Sequence, residues 1–325
     1  MADAQVPAAV SVVIPTYQRP ELVLRAVRSA LAQTAAEIEV IVVVDGRDES
    51  TCSALRTIED PRLRVHVPDR RLGNADARNA GVGLARADWV AFLDDDDEWL
   101  PGKLEAQLRV ARRSADAHPI VACRFTARDE RGEFVWPRRL PGAHEPLSEY
   151  FFCRSTPFTG EGMVHGGSAV LTSRALALRV PFRSGLPRHV DPDWLLRAVA
   201  EPGAGLVFVP EMEPLVIWYT ERGRARITTH RDWRESLAYC RENRALFTSR
   251  AYAAFVLHVV GSNAAAQGRW SAFGSLLWEA CARGRPAAVD LVSHVGNFVL
   301  PVRVQRAMAG WFARKAPPPS SAAVV

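Results

Sequence analysis

Four aspartates and a glutamate, Asp94-Asp95-Asp96-Asp97-Glu98, end the apolar run Trp89-Val90-Ala91-Phe92-Leu93 and are closed by Trp99. Side chains on an extended chain alternate, so Asp94 and Asp96 are expected on one side and Asp95 and Asp97 on the other. Adjacent carboxylates repel, and a strand end set against a core raises that cost. A divalent cation relieves it, and hard oxygen donors suit Mg²⁺ or Mn²⁺. A solvated acidic turn before a helix would have the same composition. The place of the acids favours the metal, because ligands of open α/β sheets bind outside the carboxyl ends of strands.

Two further strand ends carry polar residues. Val10 to Ile14 runs into Pro15-Thr16-Tyr17-Gln18-Arg19, and Glu39 to Val44 runs into Asp45-Gly46. A nucleotide asks for such a set: an aromatic to face a base, a carboxylate to accept a base N–H or ribose hydroxyl, and a metal to hold a diphosphate. Each element alone has an ordinary reading, since Tyr17 can cap a sheet edge and Asp-Gly is a common turn.

The elements that must position these residues alternate along the first 115 or so positions. Strands are expected at Val10–Ile14, Glu39–Val44, Leu63–Val67 and Trp89–Leu93, with helices after Pro20, around Ser50–Ile58, within Gly73–Leu84 and over Lys103–Ala111. Glu39–Val44 is apolar enough to be a central parallel strand. That alternation argues for an α/β fold with a doubly wound, mostly parallel sheet. Further on, Ile120–Phe125 reads as one strand with Phe134–Trp136 completing a hairpin. Ser168–Leu171 is a short strand, Asp193–Ala200 a helix, and Leu206–Val209 with Leu215–Tyr219 a strand pair. From Trp233 the pattern is helical: Trp233–Asn243, Ala251–Gln267, Trp270–Ala282 and 287–314.

The totals exclude little but narrow the field. A net charge of +5 with arginines spread along the chain gives no nucleic-acid signature, so no nucleic-acid partner is expected. Five cysteines without C-x-x-C spacing suggest neither a disulfide framework nor zinc. No signal peptide and no membrane span are expected, and the chain is assigned to the cytoplasm or the inner face of the membrane.

Val12-Val13-Ile14-Pro15-Thr16-Tyr17-Gln18-Arg19, Asp45, Ala77-Arg78-Asn79-Ala80-Gly81 and Phe92-Leu93-Asp94-Asp95-Asp96-Asp97, with Lys103-Leu104-Glu105 and Gln107 after them, together resemble a family 2 glycosyltransferase. The resemblance implies a GT-A fold, a nucleoside-diphosphate sugar donor (a UDP-sugar), inversion at the transferred carbon, and Mg²⁺ or Mn²⁺. It places Pro15 and Tyr17 at the base, with Thr16, Arg19, Asp45, Arg71, Asp94 and Asp95 also on the nucleotide sugar. Asp94 and Asp96 match the D-x-D acids, Asp96 as the more direct metal ligand. Arg78 and Asn79 match an element with a structural role at least as much as contact.

An inverting transferase also needs a base for the acceptor hydroxyl. His189-Val190-Asp191-Pro192-Asp193-Trp194 resembles the family's segment and puts Asp191 at that position. Val190 replaces the usual Glu, leaving Asp193 as a rival; either Asp can instead cap a helix. Gly166-Gly167-Ser168 resembles the loop beside the acceptor, and Trp136, Trp218 and Tyr219 are candidate sugar-stacking aromatics that serve a core equally well. The acceptor is a glycan, a lipid-linked sugar or a small molecule. Alternatives are a nucleotidyltransferase, disfavoured by the absence of glycine in the Pro15–Arg19 loop, and a non-catalytic sugar-nucleotide-binding protein. The domain reading is a glycosyltransferase domain over 8–225, a helical extension over 226–315 and a disordered tail over 316–325. The helices of the extension, basic and amphipathic at the end, suit core packing, a homodimer or peripheral membrane contact.

Overall fold

The computed structural model describes residues 9–35, 37–130, 132–220 and 232–315. The chain divides into two compact units, residues 1–136 with 164–224, and residues 137–163 with 225–325. The boundary expected at 225/226 and the tail expected from 316 lie outside the described residues.

The first unit opens with β1 (Val10–Thr16), α1 (Pro20–Leu31), β2 (Ile38–Val44), α2 (Glu49–Leu55), β3 (Leu63–His66), α3 (Asn74–Leu84), β4 (Trp89–Phe92), β5 (Glu98–Trp99) and α4 (Lys103–Ala111). It continues with β6 (His118–Ala122), β7 (Phe125–Asp129) and β8 (Gly132–Trp136). After α5 (Leu147–Phe152), which belongs to the second unit, come β9 (Val170–Ser173), α6 (Arg174–Arg179), α7 (Val190–Val199), β10 (Ala204–Phe208) and β11 (Val216–Tyr219).

Seven strands form one sheet in the order β10-β6-β9-β4-β1-β2-β3, parallel throughout except that β9 runs antiparallel to both neighbours. The α/β architecture is therefore as expected. Every residue of β1 and β2 is buried, which is why both read as unbroken apolar runs. The polar exceptions are paired: Ser11 Oγ donates to Glu39 at 2.6 Å, and Arg64 donates to the same carboxylate at 2.6 Å. Helix α3 lies so close to β1 that any Cβ at Gly81 would run into the Val13 side chain.

In this unit three expectations are corrected. Ile120–Phe125 is not one strand: the chain breaks at Cys123-Arg124 and passes from the large sheet into a second one, ordered β5-β11-β7-β8. The Leu206–Val209 and Leu215–Tyr219 segments do not pair with each other, because β10 pairs with β6 and β11 with β5 and β7. The two crossings run side by side, Val209 N–H donating to Ala122 O at 2.8 Å and Leu215 N–H to Arg124 O at 2.9 Å. Finally, the strand ends at Phe92, and the acids occupy a turn closed by Asp97 N–H on Asp94 O at 3.1 Å, so strict alternation does not apply.

The second unit is helical: α5, then α8 (Trp233–Glu242), a 3₁₀ turn (Arg244–Leu246), α9 (Ser249–Ala254), a π-helical stretch (Phe255–Val260), α10 (Gly261–Ala266), α11 (Ala272–Arg283), α12 (Ala288–Val299) and α13 (Val302–Lys315). Phe152 stacks on Phe247 at 5.5 Å and meets the edge of Phe255 at 4.9 Å. The helix expected over 287–314 is two helices, because Pro301 lacks the N–H a continuous helix needs and restricts Leu300 before it.

Helix α4 holds a fully enclosed lysine. Lys103 Nζ donates to Gln107 Oε1 at 2.7 Å and sits 3.8 Å from the centre of the Trp99 ring. Burial pulls this ammonium down to about 8 from its ordinary 10.5. Below pH 8 folded and unfolded chains both hold the proton, and the cost of burying it is fully present. Between 8 and 10.5 the unfolded chain binds more protons, so stability rises with pH. Relative to Lys103→Met, the wild type is expected to gain about 2 kcal/mol between pH ~7.5 and ~9.5 in urea unfolding; a flat difference would contradict a buried ammonium.

Candidate active site

The carboxyl ends of β4, β1 and β2 are neighbours, and the chemistry-bearing residues line them. At β1, Thr16 Oγ1 donates to Asp95 Oδ2 at 2.8 Å, and Arg19 Nη1 reaches Asp95 at 2.9 Å and Asp96 at 3.3 Å. Asp48, an unanticipated contributor, caps α2 through Thr51 N–H (3.1 Å) and accepts from Gln18 N–H (2.8 Å). That second bond steadies a loop in which Gln18 has φ +53°. Pro15 is buried within β1.

Beside β2, Asp45 accepts from the backbone N–H groups of Leu72 (2.5 Å) and Gly73 (3.0 Å), with Arg71 Nε 3.7 Å away. The Arg71 guanidinium lies 3.8 Å from the centre of the Tyr17 ring. Tyr17, Asp45 and Arg71 thus form one group, in which Asp45 holds the 71–73 loop against the strand end.

The acidic turn disperses its side chains among separate partners. Asp94 pairs with Arg78 Nη2 at 2.5 Å, and the other nitrogen, Nη1, pairs with Asp191 Oδ1 at 2.7 Å. Only 3% of the Arg78 side chain meets water. Burial opposes its charge, but Asp94 and Asp191 more than offset this and raise its pKa. For Asp94 burial works upward, and Arg78 followed by His165 brings the carboxyl below its usual range. Asp97 is fully buried, accepting from Ser168 Oγ at 2.5 Å and meeting His165 Nε2 at 2.6 Å, while its Oδ1 has no hydrogen-bond partner among the described residues. Burial lowers the affinity of His165 for its proton; Asp97 then Asp94 and Asp191 reverse this and lift it to about 9. Among the described residues the Asp96 carboxylate has just the long contact to Arg19, while Arg25 Nη2 donates to its main-chain oxygen at 2.6 Å. Burial first, then Asp97, Asp94 and Asp95, push its carboxyl to about 7.

Two glycines make room for this. A Cβ at Gly166 would stand 2.8 Å from Asp191 Cβ, and one at Gly167 would meet Asp94 Oδ2 and, at 2.6 Å, Arg78 Nη2. Asp191 lies in the first turn of α7, a quarter exposed, and no described residue bonds its Oδ2. Its rival Asp193 is fully buried, bonded to Arg197 at 2.8 Å and facing Arg183 at 3.4 Å. Trp218 meets Phe125 edge-on and lies tilted against His165, and Tyr219 donates to Glu98 at 2.8 Å with the Arg25 guanidinium 3.8 Å from the centre of its ring; both residues are half-buried. Trp136 ends β8, on the outer strand of the small sheet. A groove of about 560 Å³, lined by Ala9, Glu37, Glu105 and Arg109 among others, opens at the other end of β1 and β2 and holds none of these residues.

Residues 11–178, more than half of the chain, match the family described as Glycosyl transferase family 2. The chain belongs to that family. This family 2 chain is 29% identical over 220 residues to the amylovoran biosynthesis glycosyltransferase AmsB of Erwinia amylovora, covering 64% of this chain and 69% of AmsB. It is 40% identical over 102 residues to the succinoglycan biosynthesis protein ExoO of Rhizobium meliloti, which is 31% of this chain and 29% of ExoO. To WfaP of Escherichia coli, named a UDP-Glc:α-D-GlcNAc-diphosphoundecaprenol β-1,3-glucosyltransferase, it is 33% identical over 99 residues, 30% of this chain and 39% of WfaP. The fold is GT-A. It superposes on Staphylococcus aureus TarS 1–349 with a TM-score of 0.55, at 14% identity over 94% of this chain and 92% of that one. On the Pyrobaculum calidifontis mannosyltransferase PcManGT the TM-score is 0.54, at 17% identity over 95% and 85%.

Within this family 2 site, two consequences follow from Arg78. Arg78→Met leaves Asp94 and Asp191 facing each other without the guanidinium that pairs them and is expected to cost about 3 kcal/mol in urea unfolding, the low end for a broken buried pair because both acids keep some water and His165 stays near them. Gly167→Ala, which crowds the same contact without removing a charge, is expected to lower the melting temperature; an unchanged melt would contradict the close approach.

Proposed function

We propose that this chain transfers a sugar from a UDP-sugar to an acceptor hydroxyl, inverting the transferred carbon, with Asp191 as the base and a Mg²⁺ or Mn²⁺ held by Asp96 and Asp94. The observation that carries this is the Arg78 bridge. One guanidinium binds an acid of the D-x-D turn and the acid at the start of α7, so the donor-side and acceptor-side carboxylates share a site.

The residues present fit a divalent ion. Among the described residues Asp94, Asp95, Asp96, Asp97 and Asp191 are five carboxylates paired directly with three cations, Arg19, Arg78 and His165, and Arg25 adds a fourth only through the Asp96 carbonyl. Asp96, whose side chain is 16% exposed, is the least neutralised and still reachable. His165 Nε2 is turned to Asp97, so among the three side chains Asp94, Asp97 and His165, whose ligand atoms lie within 4.8 Å of one another, the imidazole acts as a counter-charge and not as a ligand. When bound, the metal neutralises the departing diphosphate as a Lewis acid.

The chain's own groups do the rest. Tyr17 offers a face for the base, with Asp45 and Arg71 beside it for the base edge, ribose or phosphate. Arg19 holds Asp95 and Asp96 in register and adds positive charge near the diphosphate. Asp191, fixed through Oδ1 by Arg78, keeps Oδ2 open to take the acceptor proton as the hydroxyl oxygen bonds to the sugar carbon and the diphosphate leaves. Asp193 lacks that access. A UDP donor is supported by the name of WfaP and by the UDP-GlcNAc bound to TarS, and a sugar acceptor on a diphosphoundecaprenol carrier by the WfaP name.

Asp191→Asn is expected to keep donor affinity and to lose about 10²–10⁴ in turnover, with the intact enzyme giving product of inverted anomeric configuration by NMR. Asp193→Asn is expected to lose stability and not the chemical step. The assignment fails if a folded Asp193→Asn is the crippled variant while Asp191→Asn turns over normally.

A further inference from the structure

The second unit turns apolar side chains outward on three successive helices. On α12 the exposed positions are Ala288, Val292, Val295 and Val299, spaced i, i+4, i+7, i+11, which is one continuous helix face. Its inward positions are Asp290, Ser293 and His294 together with Gly296 and Phe298, so three of its polar residues are buried while four apolar ones face out. Trp278 on α11 is 64% exposed, Trp270 just before α11 is 59% exposed, and Val299 is 60% exposed. On α13, Val304, Ala307 and Trp311 are also exposed, at i, i+3, i+7. Helix α12 packs against both α11 and α13.

Charge separates the occupants. From Gly261 to Lys315 the chain has seven basic residues, among them Arg269, Arg283, Arg285 and Arg303, all exposed, and two acids. Both acids are internal: Glu279 is held by Arg241 at 2.6 Å, by the Tyr252 hydroxyl at 2.5 Å and, at 3.6 Å, by Arg283, and Asp290 by Arg250, by His258 at 2.8 Å and by Ala287 N–H at 2.7 Å. The outer surface of this stretch is apolar and cationic with no anionic residue of its own. In a two-fold dimer the same patch faces itself, so cation would meet cation. An anionic bilayer satisfies both properties, accepting the valines at the headgroup boundary, seating tryptophans there, and drawing the arginines to its phosphates. Among the described residues no helix is long and apolar enough to cross a membrane.

We propose that the outward faces of α11, α12 and α13 dock on an anionic phospholipid surface, lying on it and not through it. The docking is independent of the donor and base assignments above. The test is flotation of the full chain with vesicles of phosphatidylglycerol and phosphatidylethanolamine, against phosphatidylcholine alone. Retention on the anionic vesicles is expected, falling at least tenfold for V292S/V295S/V299S, for R269E/R285E/R303E, and for wild type when salt is raised to about 1 M. Each variant is checked for an unchanged melt and unchanged UDP binding. No retention on any vesicle overturns the proposal, as does equal retention by folded variants. So does a concentration-dependent dimer without lipid that V292S/V295S/V299S abolishes, which would make a second copy the occupant.

Discussion

A single arginine out of reach of water joins two carboxylates that lie far apart in sequence, and the site takes its shape from that junction. Arg78 is carried by α3, Asp94 by the turn after β4, and Asp191 by the first turn of α7. Removing either acid would leave a buried charge short of a partner, so each fixes the position of the other through the guanidinium. The packing around the junction is equally constrained. Gly81 lets α3 press against β1, while Gly166 and Gly167 vacate the volume that Asp191, Asp94 and Arg78 occupy.

A second set of bonds secures the far side of the acidic turn. Trp99 Nε1 donates to Ser168 O at 2.7 Å, Gln107 Nε2 to Ala169 O at 3.0 Å, and Asp94 N–H to Ser168 Oγ at 3.0 Å. Ser168 in turn donates to Asp97, which His165 also holds. The turn is therefore bound on three of its four aspartates by strong local partners. Asp96 is left as the residue whose charge the described residues do least to neutralise.

The sheet was legible because its central strands are buried on both faces and read as unbroken β-branched runs, and because the acids, Tyr17 and Asp45 each follow such a run. What escaped the sequence was anything set by distant pairing. The 2.6 Å contact of His165 with Asp97 spans 68 positions, so a lone histidine gave no spacing to notice. Arg78 was visible as part of Ala77–Gly81, but its partners at 94 and 191 were not. Strand alternation failed at Asp94–Asp97 because the chain turns there, and a period-two rule holds only while the backbone stays extended. The β6–β7 and β10–β11 crossings were misread because apolar runs do not record which sheet they join. In the second unit helical periodicity was plain, yet it did not show that Val292, Val295 and Val299 of α12 would face outward.

The central claim is that the surplus negative charge at the acidic turn is matched by a divalent ion arriving with the donor's diphosphate. Electron paramagnetic resonance of free Mn²⁺ titrated into the protein with and without UDP tests it most directly. The account predicts loss of one equivalent of free Mn²⁺ signal per chain in the presence of UDP, and loss of that binding in a folded Asp96→Asn. An undiminished signal with saturating UDP, or equal Mn²⁺ uptake by Asp96→Asn, would contradict it.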